Sequence, residues 1–158
     1  MTAEDYAFAL ASHFEGFRSA PYRDPAGYWT IGYGERFLPS GPVTADTPAI
    51  TQAQGAEMLR ARLADLVTEI GDMVKPAMNT AQTGAIVDFC YNMGLEAFRF
   101  STLRRHLELG DYDLAMADLL EWDHAHVDGA FVVLPGLRAR REAEAHLFTT
   151  GELLPGIA

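Results

Sequence analysis

The spacing of apolar and polar positions changes along this chain, and those changes divide it. Between Ala3 and Phe14, the residues Ala7, Phe8, Leu10, Ala11 and Phe14 recur at helical spacing and predict a first helix, with Glu15 at its close. Arg18 to Leu38 is rich in Tyr, Trp, Ile, Phe and Gly and is punctuated by Asp24-Pro25-Ala26-Gly27, which predicts a hairpin with a Pro-containing turn. Pro39-Ser40-Gly41-Pro42 then breaks the chain.

From Thr51 the helical period returns and holds almost to the end. Met58, Leu59, Leu63, Leu66, Val67, Ile70 and Val74 form one stripe of a long helix ending near Lys75-Pro76, with Arg60, Arg62, Asp65 and Glu69 on its other face. Asn79 or Thr80 caps the next helix, and Gly94 ends it. Ser101-Thr102 opens a short helix that stops at Gly110, and Asp111 opens another that reaches Trp122. Asp123 to Leu134 reads as a surface loop, and a last helix runs from Leu137 to Thr149 with Gly151 closing it. The class is α+β in a single domain. A small N-terminal β-lobe (about 16–50) is joined by a long helix (about 51–75) to a larger helical lobe (about 76–158), which also takes the first helix.

Composition narrows the class further. Apolar residues make up 49% of the chain, enough for a real core, yet no apolar run approaches the ~20 residues of a membrane span. The first ten residues carry Glu4 and Asp5 and no basic residue, so they do not read as a secretory signal, and no membrane insertion is expected. Cys90 is the only cysteine and sits in an apolar helical run, where it reads as a small core side chain. The net charge of −10, from 12 basic and 22 acidic residues, excludes nucleic acid as the main partner. It also opposes long-range attraction to an anionic polymer. Screening limits that field to ~8 Å at physiological salt, so a locally basic cleft remains open to Arg18, Arg23, Arg36, Arg99, Arg104 and Arg105.

The candidate chemistry lies near the start. Eight residues separate Glu15 from Asp24, and five separate Asp24 from Thr30. A helix end, a turn and a strand thereby carry two carboxyls and a hydroxyl toward one place. Two carboxyls on either side of a sugar are the equipment for cleaving a glycosidic bond: one protonates the leaving oxygen, and the other activates water or attacks. An apolar setting favours the protonated acid, and Phe14 and Phe17 flank Glu15; a turn beside Arg23 favours the ionised form of Asp24. The division of roles is therefore Glu15 as acid and Asp24 as base, with Thr30 holding a water. His124, His126 and Asp128 alternate as on a strand, but no fourth ligand accompanies them, so no metal site is assigned.

Glu-x8-Asp-x5-Thr followed by Tyr28-Trp29-Thr30-Ile31-Gly32-Tyr33-Gly34 resembles the active-site segment of phage-type lysozymes, the endolysins of glycoside hydrolase family 24 that include the T-even phage lysozymes. Phe89-Cys-Tyr-Asn92-Met-Gly94, Ala97-Phe98, Ser101-Thr-Leu-Arg104, Gly110-Asp-Tyr112, Trp122 and Leu134-Pro-Gly-Leu-Arg-Ala-Arg140-Arg141-Glu-Ala-Glu144 extend the resemblance over essentially the whole chain. It implies a lysozyme-like fold and an endo-acting muramidase that cuts between N-acetylmuramic acid and N-acetylglucosamine with inversion, without cofactor or metal. It places Glu15, Asp24 and Thr30 in the catalytic roles, and Tyr91, Asn92 and Thr102 along the sugar cleft. It implies an arginine that pairs with the glutamate, for which Arg140 is the first candidate and Arg138 and Arg141 compete. The implied partners are peptidoglycan glycan strands met by a monomer, held in the host cytoplasm until a holin releases it to the wall. Glu35 departs from the family, which often has histidine there. A chitin-directed hydrolase on the same fold and a non-catalytic glycan binder are the rival readings.

Overall fold

The structure is a computed structural model and describes residues 1–157. The first helix, α1 (Ala3–Glu15), begins where the Thr2 hydroxyl accepts from the Asp5 amide and the Asp5 carboxylate accepts from the Thr2 amide. It stops at Gly16, whose φ of +68° no longer continues the helix. Glu15 is thus the last helical residue, fixed in direction by a well-capped rod.

Strands β1 (Arg18–Arg23) and β2 (Trp29–Gly32) pair antiparallel around the predicted turn, with Tyr22 opposite Thr30 and Arg23 opposite Trp29. The segment 39–42, expected only to break the chain, instead closes a second small hairpin between β3 (Phe37–Leu38) and β4 (Gly41–Pro42). Pro42 fits there because a two-stranded ribbon leaves its missing N–H on an edge.

The long helix α2 (Gln52–Met73) carries a capping box between Thr51 and Gln54 and extends about 33 Å. Its stripe buries Leu59, Leu63, Leu66 and Ile70, while Met58 is only partly buried because it faces the cleft. Helix α3 (Thr80–Met93), capped by Asn79, is the centre of the core, burying Ala85, Ile86, Val87, Phe89 and Cys90. Burial pushes the Cys90 thiol well up, as fits a small core side chain. Helix α1 crosses α3 at Gly84, where a Cβ would stand 2.6 Å from Tyr6 Cβ and 2.9 Å from the Ala3 carbonyl oxygen. This close crossing lets α1 aim Glu15 over α3.

A five-residue helix, α4 (Leu95–Arg99), was not legible because it is too short to show a period. Helices α5 (Thr102–Leu109) and α6 (Tyr112–Leu120) follow as predicted, except that α6 ends before Trp122, whose ring packs edge-on against Phe89. The expected surface loop at 123–134 is instead a regular hairpin of β5 (His124–Val127) and β6 (Ala130–Val133). Its Asp128-Gly129 turn has φ of +49° and +80°, the geometry a two-residue hairpin connection needs. Alternation and the Asp-Gly pair were the sequence signals for it. Helix α7 (Pro135–Thr150) starts two residues earlier than expected, with proline in the first turn where its missing N–H costs nothing. The result is a lysozyme-like α+β fold. Among the described residues, no helix is long and apolar enough to cross a membrane.

Candidate active site

Glu15, Asp24 and Thr30 line one cavity of about 1150 Å³, bounded by the β1–β2 hairpin, α2 and the end of α3. Tyr91 and Asn92 line it from α3. Thr102 does not reach this lining; it is exposed at the start of α5. Of the six arginines open to a basic cleft, Arg36 lines the cavity, and Arg62 joins it from α2.

Glu15 is held by Arg140. The Nη1 of Arg140 donates to Glu15 Oε1 at 2.6 Å, across 125 positions of sequence. The side chain of Glu15 is 24% exposed and that of Arg140 only 4%. Arg138 pairs instead with Asp123 and Glu142, and Arg141 with Glu144 and Asn92, so the competition among the three is decided in favour of Arg140. The sequence neighbours of Glu15 do not enclose its carboxyl. Phe17 packs on Tyr33 and Phe14 lies beneath the Arg140 guanidinium. The enclosure comes from Gly34, where a Cβ would stand 3.2 Å from Glu15 Oε2, so any larger residue would crowd the carboxylate. Gly34 also has a φ of +99°, which L side chains resist.

Asp24 is fixed by its own turn. Its Oδ1 accepts from the amides of Ala26 and Tyr28, each at 2.9 Å, and its Oδ2 accepts from Arg36 Nη2 at 2.9 Å. The cation beside it is therefore Arg36, not Arg23, which stacks on Trp29. Burial works against the charged form of Asp24, but the Tyr28 amide, Arg36 and the Ala26 amide outweigh it and hold the carboxyl below the usual carboxylate range. A depressed folded value stabilises the fold above the unfolded value, roughly pH 4, and that contribution is lost as pH falls through the folded value. Asp24→Asn is therefore expected to lower the urea midpoint at pH 7, with the gap to wild type closing as pH falls beneath the usual carboxylate range. Equal midpoints at pH 7 would contradict this. Thr30 is 2% exposed and donates its hydroxyl to the Tyr28 carbonyl at 2.9 Å, which leaves its oxygen lone pairs free to accept.

Tyr91 donates its hydroxyl to the Tyr33 carbonyl at 2.7 Å, and burial, with Glu35 and Glu15 nearby, pushes the phenol far up, so it stays neutral. Asn92 Oδ1 accepts from Arg141 at 2.8 Å.

Sequence reasoning missed Asp88. It is fully buried and forks onto Arg140, Oδ2 on Nε at 2.9 Å and Oδ1 on Nη2 at 2.7 Å. An acid inside the apolar run Ala85-Ile-Val-Asp88-Phe-Cys90 was the available signal, since a buried carboxylate needs a partner. Among the described residues, no group of three or more His, Cys, Asp or Glu is placed to hold a metal ion. His124 and His126 pack on the Phe131 ring instead.

A family model described as Phage lysozyme matches residues 12–144. The endolysin of Acyrthosiphon pisum secondary endosymbiont phage 1 is 36% identical over 149 residues, 94% of this chain and 98% of that protein. Among solved structures, an endolysin from Escherichia coli O157:H7 phage FAHEc1 superposes with a TM-score of 0.87 at 27% identity, covering 98% of this chain and 97% of that one. The muramidase domain of SpmX from Asticaccaulis excentricus superposes with a TM-score of 0.80 at 31% identity, covering 91% and 95%.

Proposed function

The chain belongs to the phage lysozyme family and is a muramidase-type cell-wall hydrolase, and on that premise we propose that it cuts the β-1,4 bond between N-acetylmuramic acid and N-acetylglucosamine within peptidoglycan strands. The observation that supports this most is the convergence of Glu15, Asp24 and Thr30 on one cavity, with a buried guanidinium fixed on Glu15. Glu15 protonates the glycosidic oxygen as the bond to the anomeric carbon breaks. The carboxylate left behind remains hydrogen-bonded to Arg140. Asp24, held ionised by its turn and Arg36, takes a proton from the attacking water. Thr30, whose hydroxyl hydrogen is committed to Tyr28, accepts a hydrogen bond from that water and orients it. Water arriving from the opposite face inverts the anomeric carbon, which needs the carboxyls about 6.5–9.5 Å apart.

Tyr91 and Asn92 contact the sugar from α3, and the enzyme works as a monomer. Where the gene is a phage lysis gene, a holin-like pore releases the protein from the host cytoplasm. Mass spectrometry of digested peptidoglycan tests the bond: new reducing ends are expected on N-acetylmuramic acid. Reducing N-acetylglucosamine ends, or faster cleavage of chitin than of peptidoglycan, would overturn the assignment.

A further inference from the structure

Glu35 is a carboxyl in the cleft that the reaction above leaves unused. It follows the tight turn Gly32-Tyr33-Gly34, where Ile31 and Glu35 exchange both backbone hydrogen bonds at 2.9 and 3.0 Å. Its side chain folds back over that turn. Oε2 accepts from the Tyr33 amide at 2.8 Å and lies only 2.7 Å from where a Cβ on Gly32 would stand. The other oxygen, Oε1, is sealed from solvent and has no hydrogen-bond partner. The far side of the same turn meets the proton donor, because Gly34 lies directly against Glu15 Oε2. Tyr91 fastens the turn at the Tyr33 carbonyl, and Glu35 fastens it at the Tyr33 amide.

We infer that Glu35 is a positioning residue for Glu15: its carboxyl clamps the Gly32–Gly34 turn against the proton donor. This rests on Glu15 being the donor. Tyr22 on β1 and Tyr91 on α3 are both pushed up, by burial first and then by the nearby carboxylates, so they remain neutral. Asp24 and Arg36 in the same cavity neutralise each other in an ion pair. From α2, Arg62 and Asp65 also line the cavity, and Arg62 bonds to Glu69. Arg140 holds Glu15 from its Oε1 side. Glu35 is itself pushed up, by burial foremost and by Glu15, against the hydrogen bonds from its own amide and that of Tyr33.

Two substitutions test the clamp. Glu35→Ala removes it, and Glu35→Gln keeps an acceptor for the Tyr33 amide. Steady-state cleavage of a soluble glycan–peptide polymer is measured across pH for wild type, both variants and Glu15→Gln, with thermal melts to establish folding. Glu35→Ala is expected to lose about tenfold in kcat with KM changed less than about twofold, a cost typical of a displaced reacting group. Glu35→Gln is expected to regain most of that kcat, because it still accepts from the Tyr33 amide. With wild type active and Glu15→Gln inactive, a folded Glu35→Ala variant with wild-type kcat, or a Glu35→Gln variant as slow as Glu35→Ala, overturns the Glu35 proposal alone. A fully active Glu15→Gln overturns the Glu15 assignment and this proposal together. If Glu35→Ala does not fold, Glu35→Gln decides by itself: kcat within about twofold of wild type is expected, and a loss of about tenfold overturns the proposal.

Discussion

Glu15→Gln is expected to lower peptidoglycan cleavage by roughly 10²- to 10⁴-fold, the usual contribution of a positioned general acid, while the protein stays folded. Glutamine matches glutamate in shape, and its amide oxygen can still accept from Arg140 Nη1, now 2.6 Å from Glu15 Oε1. Arg140 keeps its fork on Asp88 in the variant, so the buried cation is never left alone. What disappears is the proton available to the leaving oxygen. Turbidity clearing of permeabilised Gram-negative cells gives the activity, and circular dichroism with a thermal melt gives the fold. Undiminished lysis by a folded Glu15→Gln variant sinks the assignment of Glu15 as the acid.

The second large effect is on stability. Asp88→Ala is expected to cost about 3–5 kcal/mol, the penalty for leaving one member of a buried ion pair without its partner. Asp88 is fully buried, and both its oxygens are occupied by one guanidinium. Beneath the cleft, Arg140 and Arg141 face Asp88, Glu15 and Glu144. Burial pushes the Glu144 carboxyl well up despite Arg141, so the charge balance of the cluster leans on Asp88. Removing Asp88 upsets that balance and frees Arg140 to shift from Glu15. Against a typical total of about 5–15 kcal/mol, the loss is large enough to read directly in chemical denaturation. Asp88→Asn, which keeps a hydrogen-bond acceptor, is expected to lose less. An Asp88→Ala variant within about 1 kcal/mol of wild type would contradict this account.

Glu15 faces the cavity, and its placement depends on buried charges from two other helices. The Glu35 turn presses on the same carboxylate from the cleft side.

Much of this was legible along the chain because the signals are local. The stripe of α2, the caps at Asn79 and Ser101, and the glycines at 94, 110 and 151 fix helices through hydrogen bonds made within a few residues. Glu15, Asp24 and Thr30 stand close enough in sequence that a helix end, a turn and a strand bring them to one cavity. The β5–β6 hairpin was missed although its alternation and Asp128-Gly129 turn were present, because a short two-stranded element resembles a loop until its partner strand is seen. What no local signal carries is which charges meet after folding. Arg138, Arg140 and Arg141 differ by one to three residues on α7, and each residue turns the side chain about 100° around the helix axis. Only the packing of α7 against α1 and α3 turns Arg140 toward both Glu15 and Asp88, leaves Arg138 exposed at Asp123, and buries Arg141 on Glu144. The sequence by itself determined the helices and the catalytic spacing, since these follow from contacts a few residues long. The tertiary structure alone decided the electrostatic setting of Glu15, since that depends on groups 20 and 125 positions away brought within hydrogen-bonding reach or Coulombic range.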